Sequence, residues 1–178
     1  MGVMYEYFAA PSDATAAEMV QAGPGGPLPA SPALREALRA GDREALGLAM
    51  RPKVRLSDSD VLVLATKGID PVIQIRTLEA LLTGEQYDVI AGRPRAAHVV
   101  AERDQGAALV VTLTDELLAA LAAAPRDQIV AAAAPWSEDE EFYGQAYPEV
   151  LADFLLELAD LARQADRRGE RLYCWTCL

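Results

Sequence analysis

Lysine is almost missing from this chain of 178 residues, occurring only at Lys53 and Lys67. Basic residues total 16 against 27 acids, a formal net charge of −11. Such a balance argues against nucleic acid as a partner, because that affinity rests on neutralising phosphates with Lys and Arg. Histidine occurs once, at His98. Any Ser-His-Asp or Cys-His machinery would have to be built on it, and its place beside Val99 and Val100 reads more simply as structural. There are two cysteines, Cys174 and Cys177, too few for a disulfide framework and half of a tetrahedral zinc set. No apolar run reaches the roughly 20 residues that span a bilayer. No basic residue precedes Arg35 and no long apolar stretch stands near it, so a secretory signal is not expected and the cytoplasm is the natural location. Glu6 stands where myristoylation would need Ser or Thr, and neither cysteine is fourth from the end, as prenylation would require. GxGxxG, Walker A and nucleophile-elbow patterns are absent. No metal, nucleotide cofactor or membrane contact is expected.

What is present is a dense set of helix signals. Asp70 is a good N-cap and Pro71 suits a first helical position. Val72, Ile75, Leu78, Leu81 and Leu82 then recur at helical spacing, and Gly84 can take the left-handed turn that ends a helix. With Ile73 and Leu82 widening the apolar stripe, the pattern predicts a central helix buried on more than one side. Val3–Phe8 alternates as a first strand, with Tyr5 and Tyr7 on one face and Met4, Glu6 and Phe8 on the other. Ser12 can cap a short helix over 14–21. Residues 22–30 have loop composition, Ser31-Pro32 opens a helix to Gly41, and Asp42 caps a continuation to Met50. Residues 53–66 read either way; helix is preferred, with Gly68 ending it. A helical turn is expected at 86–91, then a hairpin of 97–102 and 107–112 about Arg103-Asp104-Gln105-Gly106. Thr114 caps a helix over 115–123, helix resumes over 127–134, and Ser137 with Glu140 fits a capping box. The longest helix runs from Pro148 to about Arg168, stopped by Gly169, and Arg171–Cys177 is a closing strand. The fold class is α+β: one domain over 1–178, with a small, mostly antiparallel sheet that includes both terminal strands and the central hairpin, packed against several helices.

The order of these motifs resembles the YfbM-like family of bacterial proteins, a domain family of unknown function. Met1-Gly2-Val3-Met4 leads an aromatic strand as in that family's opening. Asp70 through Leu81-Leu82-Thr83-Gly84 is similar to its central helix, although Leu78-Glu79 stands where the family carries Leu-His. Leu113-Thr114 with Glu116-Leu117, Pro135-Trp136 with an acidic run, the long helix, Gly169 and the last strand complete the likeness. The resemblance implies a fold and transfers no catalytic residue.

Cys174-Trp-Thr-Cys177 has the spacing of redox and metal sites. A low-pKa thiol of that kind sits at a helix N-terminus, whereas this pair lies on a predicted strand, where residues three apart face opposite sides. Two ordinary thiols in a packed strand is the simpler reading. Carboxylate pairs abound (Asp115 with Glu116, Asp153 with Glu157) and read as helix-capping or solvent-facing groups. The aromatic residues Tyr5, Tyr7, Trp136, Phe142, Tyr143, Tyr147, Tyr173 and Trp175 gather near the two terminal strands and the segment before the last helix. Of these, Tyr5, Tyr7, Trp136, Tyr143, Tyr173 and Trp175 form a candidate binding groove.

Charge is uneven, since residues 137–178 carry ten acids and four bases. Glu138, Asp139, Glu140 and Glu141, with Trp136 and the outer side of the last helix, form a candidate acidic surface. The preferred functional reading is a non-catalytic, immunity- or adaptor-like acidic module that binds a basic protein. The competing reading is a small-molecule-binding or hydrolase-like protein using the aromatic pocket. A homodimer through an exposed terminal strand is a third possibility.

Overall fold

Strand β1 (Met4–Ala10) lies inside the sheet rather than at its edge. The computed structural model describes residues 3–22, 63–144 and 146–177. The loop expected at 22–30, the helices expected over 31–50 and most of the ambiguous segment 53–66 lie, apart from Ala22, outside the described residues up to Leu62. Helix α1 (Asp13–Ala22) follows β1, and Ser12 Oγ accepts the Thr15 N–H at 3.2 Å, as its capping role requires. Strand β2 (Val63–Lys67) corrects the helical reading of 63–66. The β-branched and aliphatic residues there pair with β1, and a tertiary partner overrides the nearby capping signals.

After β2 come helices α2 (Gln74–Thr83) and α3 (Tyr87–Ala91), strands β3 (Val99–Arg103) and β4 (Ala108–Thr112), and helices α4 (Asp115–Ala123) and α5 (Arg126–Ser137). A 3-10 turn (Glu140–Phe142), helix α6 (Pro148–Arg168) and strand β5 (Arg171–Cys177) complete the chain. The strands make one five-stranded antiparallel sheet in the order β2-β1-β5-β4-β3. This is the α+β domain the element pattern predicts, with both terminal strands and the hairpin in the sheet. Both terminal strands, however, have two partners each, so neither offers the free edge that a terminal-strand dimer would use.

Register divides the side chains cleanly. Tyr7 pairs with Cys174 and points to the face covered by α2, α4, α5 and α6, whereas Phe8 pairs with Tyr173 and points to the face covered by α1. On the α1 side Phe8 and Tyr173 stack at 5.7 Å. On the other side α6 lays Leu151, Phe154, Leu155, Leu158, Leu161, Ala162 and Ala165 into the core, all of them buried. That stripe follows the helical period, and Gly169 ends the helix at φ 66°.

Two local readings change. The segment from Pro71 to Ile73 is a turn, so α2 begins at Gln74, and Asp70 caps the turn that leads into it. Of the expected stripe, Ile75 and Leu78 are buried, but Val72, Ile73 and Leu81 are exposed, so this helix is buried on one side only. Ser137 is the last residue of α5, its hydroxyl donating back to the Ala134 carbonyl at 2.7 Å. Asp139 is the cap instead, accepting the Glu141 N–H at 2.8 Å. Pro135 lies within α5, and the chain turns just after Trp136, before a Ser137-capped helix could start.

Candidate functional site

Two tyrosines on β1 hold the turn between β2 and α2. The Tyr7 hydroxyl donates to the Ile69 carbonyl at 2.6 Å, and the Tyr5 hydroxyl donates to Asp70 Oδ2 at 2.9 Å. Asp70 Oδ1 in turn accepts the N–H groups of Val72 and Ile73 at 2.7 and 3.0 Å. Gln74 bridges outward: its Oε1 accepts the Asp70 N–H at 3.0 Å, and its Nε2 donates to the Glu141 carbonyl at 3.2 Å. The fully buried Trp136 indole N–H donates to the Gln74 carbonyl at 2.9 Å. This network ties β1, the 68–73 turn and the 3-10 turn into one wall.

That wall lines a cleft of about 480 Å³. Its other side is the segment from the 3-10 turn into α6, with Phe142, Tyr143, Tyr147, Val150 and Phe154. An aromatic row supports it from below: Tyr7 meets Phe154 edge-on at 5.6 Å, and Trp136 lies 6.2 Å from Phe154 and 5.4 Å from Phe142. The lip is open. Tyr143 and Tyr147 are 79% and 70% exposed, and Val150 is exposed beside them. Tyr143 and Gly144 both have left-handed backbone, at φ 52° and 66°. A bulky residue rarely adopts that conformation, so an exposed tyrosine there comes at a backbone cost.

The candidate groove therefore separates. Tyr5 and Tyr143 line the cleft, while Tyr7 and Trp136 stand behind it as buried support. Tyr173 and Trp175 are on the opposite face of the sheet, packed with Phe8 and α1, and take no part. The strand period sends them there: Cys174 faces the helical side, so its neighbours cannot. The acidic surface also changes. Glu138, Glu140 and Glu141 are exposed, and Glu141 lines the cleft. Asp139 is occupied as a cap, and Trp136 is fully buried, so it belongs to no surface. Asp70, Gln74 and Phe154 join the cleft although no sequence signal placed them there; only the capping role of Asp70 was legible.

Burial, together with the Asp70 carboxylate that accepts its hydroxyl, raises the Tyr5 pKa well above its ordinary value. That hydroxyl is a firm donor to Asp70, not an acid near neutral pH. Burial likewise pushes the Cys174 thiol far up. A buried thiol of this kind is inert rather than nucleophilic. His98 is exposed just before β3, its backbone paired with Thr112. Two further polar clusters pair arginines with carboxylates. Arg93 contacts Glu79 and Glu85. Arg95 meets Asp13 at 2.8 Å, and the Tyr173 hydroxyl donates to the same carboxylate oxygen at 2.8 Å. Among the described residues no group of three or more His, Cys, Asp or Glu could hold a metal ion, and no helix is long and apolar enough to cross a membrane.

Fold and site together define an antiparallel α+β domain with an open aromatic cleft whose charged lining residues, among those described, are the acidic Asp70 and Glu141. Comparison with protein-family models, with curated proteins and with solved structures returned no match.

Proposed function

We propose that this is a non-catalytic, immunity- or adaptor-like acidic module that binds a basic protein, and that the contact surface is the cleft with its acidic lip. The observation that carries this reading is the composition of the cleft: among the residues whose side chains are described, the charged ones lining it are Asp70 and Glu141, and Glu138 and Glu140 are exposed nearby in sequence. Charge complementarity of this kind steers encounter and selects partners. Exposed rings at the lip supply the contact area that binding hot spots draw on. Glu149, Asp153, Glu157 and Asp160 extend the negative charge along the exposed side of α6.

The competing reading, a small-molecule-binding or hydrolase-like protein, draws support from the volume of the cleft, which lies in the range of ligand pockets. Hydrolysis would need a carboxylate or other base free to act on a nucleophile. Asp70 is engaged by Tyr5, Val72 and Ile73, and Glu141, the other carboxylate of the cleft, is exposed to solvent.

The test is capture from lysate of the source organism at low and at about 0.5 M salt, where exposed charge pairs are screened. The wild-type chain is compared with a variant carrying Glu138→Gln, Glu140→Gln and Glu141→Gln. The expected result is one basic protein retained at low salt by the wild type and lost both at high salt and by the variant. Equal capture by both chains would refute the reading.

A further inference from the structure

We infer that the cleft is a seat for an arginine side chain of the basic partner; this deepens the reading above and rests on it. The argument is one of donors and acceptors. Tyr5 spends its only hydroxyl proton on Asp70 Oδ2, so what its oxygen has left is lone pairs. Asp70 accepts three hydrogen bonds across its two oxygens, and a carboxylate has about four acceptor positions, so one remains. Gln74 is engaged on both sides, Oε1 by the Asp70 N–H and Nε2 with the Glu141 carbonyl, which leaves it one acceptor position and one donor. Glu141 adds an exposed carboxylate. The polar atoms left to a ligand are therefore mostly acceptors, and two of the groups are negative. A complementary ligand brings donors and positive charge.

The aromatic lining narrows the choice. Tyr143 and Tyr147 present exposed rings at the lip, and Phe142 and Phe154 line the interior. A guanidinium is planar, is less strongly hydrated than an ammonium and stacks on aromatic faces while donating in its plane. It can lie against a tyrosine ring and donate toward carboxylates with the same group. An ammonium offers three donors and no plane. The protein uses the same pairing in its own fold: the Arg76 guanidinium lies 5.1 Å from the ring centre of Tyr87, and Arg95 lies 5.3 Å from that of Tyr173.

The experiment is an NMR titration of the full chain with three short capped peptides of one sequence, carrying arginine, lysine or citrulline at the same positions. Citrulline keeps the shape of arginine and removes the charge. The expected outcome is that the arginine peptide moves the amide signals of Gly68, Asp70, Gln74 and Tyr143 and binds more tightly than either of the others. Tyr143→Ala and Tyr147→Ala should each weaken it by about two- to fivefold, the range of one exposed cation–π contact. Glu141→Gln, which keeps the size of the side chain and removes one of the two negative charges of the cleft, should weaken it further at an unchanged fold, checked by the dispersion of the remaining signals. Equal binding of arginine and citrulline peptides overturns the seat. So does a lysine peptide that matches arginine, or a response confined to Glu149, Asp153 and Glu157 on α6; in these cases salt-sensitive binding of a basic peptide leaves the wider reading standing. If no peptide binds with salt sensitivity, the seat and the acidic-module reading fail together.

Discussion

Asp13 and Glu79 are carboxylates whose surroundings push them in opposite directions. Hydrogen bonds from Arg95 and then Tyr173 lower the Asp13 pKa below its ordinary 3.8. Burial, only partly offset by Thr114 and Arg93, raises Glu79 above its ordinary 4.5. The linkage signs follow. Asp13 binds its proton less readily in the folded state, so its contribution is complete above the unfolded value and disappears as pH falls through the folded one. Glu79 binds its proton more readily when folded, so its ionisation reduces stability as pH rises from about 4.5 through the raised value. Thermal melts of Asp13→Asn should therefore show a deficit at pH 7 that closes toward about pH 3, and a small one, because Asp13 is half exposed. Melts of Glu79→Gln should improve relative to wild type as pH rises from the ordinary 4.5 through the raised value. A deficit for Asp13→Asn that grows on acidification would refute the assignment. Neither environment was legible in the sequence, since Asp13 and Arg95 meet only when α1 lies over the sheet.

At the scale of elements, legibility tracked how local the cause was. Helix α6 was readable from end to end because its stripe, its proline start and its glycine stop all lie within one segment. Gly169 shows the physics most plainly: its φ is 66°, and a Cβ there would meet nothing within 4 Å, so only backbone strain opposes a side chain. Gly169→Ala should cost about 1 kcal/mol, a fall of roughly 2–4 °C in melting temperature. Gly92 is the control. Its φ is −79° and its nearest Cβ contact is 3.6 Å, so Gly92→Ala should change little. Equal losses for the two would show that left-handed geometry is not the cause. Strand β2 and the end of α5 were misread for the opposite reason. The pairing of β2 with β1 and the turn after Trp136 are set by distant partners, which capping patterns do not register.

For the whole molecule the decisive fact is that β5 lies at the centre of the sheet, between β1 and β4. Both of its edges are paired and both faces are covered, with Leu172 through Trp175 all buried. Its amides should exchange with solvent only through global opening, whereas β3, with one strand partner among the described residues and a bulge, should exchange sooner. Hydrogen exchange read by mass spectrometry settles this, and β5 exchanging as fast as β3 would contradict the topology. The candidate site was legible only in part, for the same reason. Aromatic residues near the chain's two ends were visible as a group, but period-two alternation sends Tyr173 and Trp175 to one face and Tyr5 and Tyr7 to the other. Sequence by itself determined the α+β class, the hairpin, the caps at Ser12 and Thr114 and the excess of acid, because each depends on local period, turn chemistry or composition. Only tertiary structure decided the strand order, the burial of Trp136 and the joining of Tyr5, Asp70, Gln74 and Tyr143 around one cleft, because side chains far apart in the chain become neighbours only when sheet register and helix packing bring them together.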